Sequence, residues 1–212
     1  MKAFLAAAVA LASATAAPAS ARTVLDQWRA VQPPAQPEVQ PVSVNPATTA
    51  YLVLDMQANI CNVERRPHCV DAVGPMTDFL SRARAAGMPV VYSATPTAAR
   101  SDILAPLAPK DAEPIVKASV DKFHGTDLDQ ILKQKGVDTV IVCGVTAYGA
   151  VLFTATEAAV RGYKVILPVD CMPGGSLYEE QMTVYTVTQG PGTARASKLT
   201  TLAGITFAYP GQ

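Results

Sequence analysis

The stretch Ala-Tyr-Leu-Val-Leu-Asp at residues 50–55 is a continuous apolar run that ends at a carboxylate. A strand that is apolar at every position is typical of a parallel sheet covered on both faces, because neither side of it meets water. Similar runs occur at residues 89–93, 114–117, 139–143, 164–170 and near 205–209. These runs predict six strands.

Helical patterns separate the apolar runs. They predict helices over residues 75–86, from Thr126 to about Lys135, over 147–161 and near 177–188. Strands that alternate with helices and connect by right-handed crossovers form a three-layer α/β/α domain, doubly wound around a mostly parallel sheet. Ligands of such sheets bind outside the carboxyl ends of the strands, so candidate site residues are sought there.

The composition excludes several classes of partner. The 212 residues include 17 acidic and 17 basic side chains, so the formal net charge is zero, and only 6% of the residues are aromatic. This balance gives no basic surface for nucleic acid or for an anionic membrane, and few rings on which bases could stack. Two histidines and four cysteines do not suggest a rich zinc site. The composition predicts a globular domain that acts on a small molecule.

The N-terminal residues 1–21 have the features of a cleavable signal peptide. Lys2 precedes an alanine-rich apolar run, and Ala-Ser-Ala at 19–21 predicts cleavage after Ala21 and a periplasmic or secreted protein. An N-terminal helix is the alternative. Residues 22–47 then form a predicted proline-rich, extended arm with Trp28 as a candidate anchor, and residues 48–212 form the domain. Assembly of a homo-oligomer through this arm is a further hypothesis.

The predicted export to an oxidising compartment affects the expected state of the four cysteines. Cys61 and Cys69 lie eight positions apart in a polar segment, which favours a disulfide in an oxidising space over two unpaired thiols. A metal site that uses Cys61, His68 and Cys69 lacks an evident fourth ligand. Cys143 and Cys171 end two apolar runs, where buried free thiols or a disulfide between them are both open.

Three elements are expected to meet at the carboxyl edge of the sheet. Asp55 ends the first strand, Lys117 ends the third, and the turn at residues 144–150 is built of small residues before a helix. Each has an ordinary structural explanation, as a turn-capping acid, a solvated lysine and a tight turn. Together they predict an acid, a cation and backbone N–H groups that can hold an oxyanion.

These stretches resemble the isochorismatase-like hydrolase superfamily, which includes isochorismatases, nicotinamidases and other cysteine amidohydrolases. The resemblance rests on Leu-Val-Leu-Asp-Met-Gln at 52–57, on Lys117 before Phe-His-Gly-Thr-Asp-Leu at 123–128, and on Val-Ile-Val-Cys-Gly-Val-Thr at 140–146. It covers roughly residues 48–208 and implies a six-stranded parallel sheet between helices.

The resemblance also implies a catalytic triad of Asp, Lys and a nucleophilic Cys. It assigns Asp55 and Lys117 to the first two positions and places Lys122 at a non-catalytic position of the motif. The position of the nucleophile is occupied by Ala150, which closes the covalent route. Cys171 could act as a substitute nucleophile, but it lacks the helix N-terminus that would lower its pKa.

Around that triad, the resemblance implies a nonproline cis peptide between Val145 and Thr146 and an oxyanion site made by the backbone N–H groups of Thr146 and Ala150. We expect Gln57, Val145, Thr146 and Tyr148 to line the substrate pocket. The nicotinamidase metal site needs histidines, and residues 95–112 contain none, so no metal and no cofactor are expected.

Isochorismatases that lack the cysteine use the aspartate as a general acid on an enol ether. Their pocket carries an arginine where this chain has Ser119, and Tyr-Ala-His where it has Thr-Ala-Tyr at 146–148. The sequence therefore predicts an exported hydrolase that acts on a C–O enol ether or a C–N bond by Asp55 and Lys117 acid–base chemistry. The alternative is an inactive relative that binds a small molecule.

Overall fold

A computed structural model describes residues 22–209 of the chain, and these fall into two compact units, one that ends at Ala35 and one that begins at Gln36. The predicted signal peptide, residues 1–21, lies outside the described residues. The first unit contains one 3-10 turn at Trp28–Ala30, and the Trp28 side chain is 61% exposed. All other helices and strands described below belong to the second unit.

The second unit contains two parallel sheets. Its strands are β1 Val42–Val44, β2 Thr49–Leu54, β3 Val90–Ala94, β4 Ile115–Lys117, β5 Thr139–Gly144, β6 Lys164–Pro168, β7 Ser197–Thr200 and β8 Ile205–Phe207. Six of them form the main sheet in the order β4-β3-β2-β5-β6-β7, and β1 pairs with β8. β2, β3 and β5 are buried at every position, as continuous apolar strands require.

The sixth strand of the main sheet is β7. The predicted strand near residues 205–209 is present as β8, but it lies outside the main sheet. β7 reads Ser-Lys-Leu-Thr and exposes Lys198, so it lacks the apolar run that marks the inner strands. β8 pairs with β1, Val42 opposite Ile205, and β1 lies within residues 22–47. The last part of the predicted extended arm is therefore a strand of the folded unit, β1.

Four α-helices cover the sheet: α1 Pro67–Ala85, α2 Leu128–Gln134, α3 Leu152–Val160 and α4 Leu177–Gln189. α1 begins well before the predicted residue 75, because Pro67 occupies its first turn and Pro75 lies inside it. A π-helical turn, Ala147–Val151, precedes α3, whereas the sequence predicts one continuous helix from residue 147.

The helices lie in two layers. α1 packs through Met76 and Phe79 on the sheet face that carries Tyr51 and Val53. On the opposite face, Leu52, Leu54, Val140 and Val142 pack against buried side chains of α2, α3 and α4, among them Leu128, Leu132, Ala155, Ala158 and Val187. The predicted three-layer, doubly wound α/β fold is confirmed.

From β2, the strands β3 and β4 extend the sheet to one side, whereas β5, β6 and β7 extend it to the other. The carboxyl ends of β2 and β5 therefore form the switch point of the sheet. Gly144 ends β5 there with φ +132°, and a Cβ atom on it would lie 2.0 Å from the carbonyl oxygen of Leu54. Only glycine allows this close approach, which brings Asp55 and the turn after β5 to one place. Ligands of open α/β sheets bind at such a point.

Two disulfides cross-link the second unit. Cys61 pairs with Cys69 in the first turn of α1, which confirms the prediction. Cys143 in β5 pairs with Cys171 in the 3-10 turn after β6, so these residues are neither free thiols nor a substitute nucleophile. Within residues 22–209, no helix has the length and apolar character needed to cross a membrane.

Candidate active site at the switch point of the sheet

Asp55 is the first residue after β2, and its backbone turns sharply out of the strand. Its φ of +50° is the only positive value at a non-glycine residue within 22–209. The Asp55 N–H donates to both the carbonyl and the hydroxyl oxygen of Ser93, each at 3.2 Å, and its carbonyl accepts from the Gln57 N–H at 2.7 Å. These bonds hold the turn, and Asp55 is 5% exposed.

The Asp55 carboxylate has a hydrogen-bond donor on each oxygen. Lys122 Nζ lies 2.6 Å from Oδ2, and the Ser93 hydroxyl donates to Oδ1 at 2.7 Å. Burial raises the pKa of the Asp55 carboxyl above its ordinary value, and the Lys122 ammonium and the Ser93 hydroxyl oppose part of that rise. A buried carboxylate with a raised pKa and an adjacent cation is a common arrangement for acid–base catalysis.

Lys122 is fully buried, and both its ammonium group and its backbone N–H donate hydrogen bonds. Besides Asp55, its ammonium donates to the carbonyl oxygens of Ala118, at 3.1 Å, and Ser119. Its backbone N–H donates to Thr154 Oγ1 of α3 at 3.2 Å. The three ammonium protons therefore all have acceptors, and Lys122 cannot donate to another group without giving up one of these bonds.

Lys122, and not Lys117, is the lysine that contacts Asp55. Lys117 ends β4 and is exposed. Side chains alternate along a strand, and the preceding residue, Val116, packs in the cluster that contains Leu54 and Phe123, so Lys117 points to the other face. The predicted pairing of Asp55 with Lys117 is corrected: residues 118–122 fold back after β4 and return Lys122 to the carboxylate.

The turn after β5 forms the other side of the site. The Val145–Thr146 peptide is cis, as the resemblance implied. The Val145 N–H donates to the Leu54 carbonyl at 3.0 Å, which ties the turn to the end of β2. The Ala147 N–H donates to the Pro173 carbonyl at 3.0 Å, which ties it to the segment after β6. The turn is thus anchored on the end of β2 and on the segment that follows β6.

The predicted positions on this turn differ in accessibility. Ala150 is 3% exposed and packs in the cluster with Leu54 and Phe123, so an apolar methyl group occupies the expected position of the nucleophile. Val145 is buried, Thr146 is half-buried, and Tyr148 is 49% exposed. Thr146 and Tyr148 are therefore the more accessible of the expected pocket residues.

Gln57 has a different place from the one expected. It is 1% exposed, its amide nitrogen donates to Thr95 Oγ1 at 3.2 Å, and its amide oxygen accepts from the Thr95 N–H at 2.9 Å. Both ends of the amide are thus bound to the segment after β3. Gln57 supports the turn at Asp55 from within the protein rather than offering free groups to a ligand.

Two residues of this network, Ser93 and Thr95, are not predicted from the sequence, and a third, Lys122, is assigned there to a non-catalytic position. Ser93 ends the second apolar run and Thr95 follows it by two residues, at the same sheet edge as Asp55, and this position is the signal that the sequence offers for them. Within the described part of the chain, no three His, Cys, Asp or Glu side chains come together as metal ligands do.

The fold and the site define an α/β protein with a buried acid–lysine pair at the switch point of a parallel sheet. Residues 49–198 match the Isochorismatase domain family, which is more than half of the chain. The chain therefore belongs to the isochorismatase family.

Two relatives and one solved structure illustrate the similarity. Streptothricin hydrolase of Streptomyces noursei is 36% identical over 132 residues, 57% of this chain and 52% of the relative, so the chain spans about half the length of that protein. The secreted isochorismatase effector Isc1 of Verticillium dahliae is 26% identical over 146 residues, 63% of this chain and 77% of the relative. A cysteine hydrolase from Pseudomonas syringae pv. phaseolicola superposes with a TM-score of 0.67 at 25% identity, covering 80% of this chain and 95% of its own.

Proposed function

We propose that this chain is an exported hydrolase of small molecules that uses Asp55 in acid–base chemistry without a covalent nucleophile. The observation that carries the proposal is the buried carboxylate of Asp55, bound on one oxygen by Lys122 and on the other by Ser93. An acid–lysine pair is costly to bury, so its place beside the turn after β5 favours a role in chemistry over a role in stability.

Burial raises the pKa of Asp55, which makes its carboxylate a stronger base, while the hydrogen bonds from Lys122 and Ser93 stabilise the ionised form. Both effects favour a role as general base. Asp55 would take a proton from a water molecule, and the resulting hydroxide would add to the carbonyl carbon of an amide. The backbone N–H groups of Thr146 and Ala150 would stabilise the oxyanion, as the family resemblance implies. The C–N bond then breaks, and Asp55 returns the proton to the leaving amine. A protonated Asp55 that acts as general acid on an enol ether is the second form of the same chemistry.

Lys122 contributes by holding Asp55 rather than by binding substrate. Its three protons are already accepted by Asp55, Ala118 and Ser119. It therefore has no spare donor for a carboxylate on the substrate. In addition, Ser119 stands at the position where isochorismatases carry arginine. The lack of a free cationic donor at both positions favours a substrate other than isochorismate.

We further propose that the protein is exported, with cleavage after Ala21. All four cysteines are paired, and a related fungal protein is secreted, both of which are consistent with an extracellular location. Intact-mass measurement of protein recovered from the periplasm or the medium tests this proposal. A mature N-terminus at Arg22 is the expected result, and recovery of the uncleaved chain from the cytoplasm contradicts it.

The catalytic proposal is tested with a panel of small amides and enol ethers, with products detected by mass spectrometry. Asp55→Asn is expected to lower turnover about 100-fold or more, since general bases contribute that much. Lys122→Met should also be inactive, and Lys117→Met is the matched control, because it removes an exposed lysine from the end of β4. An Asp55→Asn variant that turns over at the normal rate contradicts the mechanism, as does a loss confined to Lys117→Met.

A small-molecule-binding protein without activity is the second candidate, and the buried methyl group of Ala150 favours it. It predicts that a compound of the panel is retained on the protein while no product forms. An Ala150→Cys variant that gains amidase activity would show that the oxyanion site and the acid–lysine pair are competent. Such a gain, with no product from the natural protein, supports the binding role.

A further inference from the structure

We propose that Ser93 is a positioning residue for Asp55: its hydroxyl fixes the orientation of the carboxylate and favours its ionised form. The kinetic part of this proposal rests on the proposed function, whereas the electrostatic part does not. Neither the sequence motifs nor the family resemblance assigns a role to this residue.

The backbone of the sheet places Ser93 beside Asp55. β2 and β3 are parallel neighbours with Leu54 opposite Ser93, so Asp55 leaves the sheet next to the Ser93 side chain. Ser93 is fully buried, and its hydroxyl therefore exchanges no hydrogen bond with bulk water. Its partners are two atoms of one residue, the Asp55 N–H at 3.2 Å and Oδ1 at 2.7 Å.

The direction of these two bonds follows from the chemistry of the groups. A backbone N–H can only donate, so the Ser93 oxygen accepts from Asp55 through a lone pair. The hydroxyl proton is then left for Oδ1, which as part of a carboxylate can only accept. Ser93 thus clamps the backbone and the side chain of Asp55 at once, and its proton points at the charge.

Ser93 and Lys122 act on different oxygens of the carboxylate. The ionisable side chain that faces Asp55 is Lys122, from the segment after β4. β3 contributes the uncharged Ser93, and the turn at residues 144–151 contributes no Asp, Glu, Lys, Arg or His. Because Lys122 neutralises Oδ2, the hydrogen bond on Oδ1 is the remaining contact that favours the charged form against burial. Loss of that bond should raise the pKa of Asp55 further.

The test is a pH titration of the protein labelled with carbon-13 at the side-chain carboxyl carbon of aspartate, with Asp55 assigned by the signal lost in Asp55→Asn. Ser93→Ala is expected to raise the pKa of Asp55 by about one unit, the effect of one hydrogen bond to a charged group. Ser93→Thr keeps the hydroxyl and should restore the titration. Ser197→Ala is the matched control, since Ser197 is a buried strand serine on β7 whose hydroxyl has no partner among the described residues.

The kinetic readout is the pH profile of kcat/KM. In Ser93→Ala the acidic limb should move to higher pH by the same amount as the titration, whereas a structural effect would lower the rate equally at all pH values. A pKa within about 0.3 units of the natural value in Ser93→Ala overturns the proposal, as does an equal rise in Ser197→Ala. If the natural protein turns over none of the panel, the proposed function fails, while the titration still decides the role of Ser93.

Discussion

Gly144 is the residue on which the geometry of the candidate site depends most directly. Its φ of +132° excludes a side chain, and so does the carbonyl oxygen of Leu54, which would lie 2.0 Å from a Cβ atom at this position. We expect Gly144→Ala to lower the free energy of unfolding by about 3 kcal/mol, the sum of backbone strain and overpacking. Urea denaturation followed by circular dichroism measures this loss.

Gly162 provides the control for that substitution. It also has a positive φ, +93°, but a Cβ atom at this position would have no neighbour within 4 Å. Gly162→Ala should therefore cost only the backbone strain, about 1 kcal/mol. Equal losses in the two variants would show that the close approach to Leu54 has no energetic consequence.

At the residue scale, the sequence allows the prediction of Asp55 but not of its partners. Asp55 directly follows an apolar run, so residues 50–55 alone are enough to place its carboxylate at the end of a buried strand. Its lysine is 67 positions away, beyond a turn whose direction no local pattern encodes, so Lys117 at the strand end is an equally suitable candidate. Ser93 resembles any polar residue at the end of a strand, because pairing between neighbouring strands is not a local property.

Among the elements, the contact between α1 and the segment before β4 depends on one largely buried ion pair. Arg84 of α1 donates from Nε and Nη2 to the two carboxylate oxygens of Glu113, at 2.8 and 2.7 Å, and its Nη2 also approaches the Tyr92 hydroxyl and the Ala108 carbonyl. Burial has the largest single effect and raises the pKa of Glu113. The hydrogen bonds from Arg84 and from the Lys110 N–H, together with the charges of these two residues, outweigh it, so the pKa is lowered overall.

A lowered pKa in the folded state means that ionised Glu113 stabilises the protein above its unfolded-state pKa of about 4.5. We expect Glu113→Gln to cost about 1–2 kcal/mol of unfolding free energy at pH 7. This contribution should disappear as the pH falls through the folded-state pKa, so the natural and variant curves converge in acid. Asp111→Asn is the control, because its carboxylate is fully exposed and lies 3.9 Å from Arg100. A difference that persists unchanged into acid contradicts the assignment.

The elements themselves are predicted best where the pattern is strongest. The inner strands are mostly apolar and are buried at every position except Lys164 of β6, and each is located within a residue or two. α1 is predicted too short because proline favours the first turn of a helix, and both Pro67 and Pro75 satisfy that signal; only packing of Cys69 and Ala72 shows that Pro67 is the start. β7 is missed because an edge strand with one exposed lysine lacks both an apolar run and a strict alternation.

Over the whole molecule, two disulfides constrain the chain to different extents. Cys61–Cys69 closes a loop of eight residues within one segment, whereas Cys143–Cys171 closes 28 residues that include the π-helical turn, α3 and β6. Both pairs lie in the core on the α1 side of the sheet. The longer loop also contains the turn with the cis peptide, so this disulfide joins the strand end before the candidate site to the segment that follows β6.

A disulfide lowers the entropy of the unfolded chain, and this effect grows with the length of the closed loop. The longer loop should therefore contribute more to the free energy of unfolding than the shorter one. The entropy relation gives about 2.5 kcal/mol for the shorter loop and about 3.6 kcal/mol for the longer one. We therefore expect the double variant Cys143→Ala/Cys171→Ala to unfold at a lower urea concentration than Cys61→Ala/Cys69→Ala, each compared with the natural protein without reductant. The fully reduced natural protein serves as the reference for the loss of both disulfides. If the shorter loop proved the more stabilising, the contribution of Cys61–Cys69 would have to come from the packing of α1 rather than from the unfolded chain.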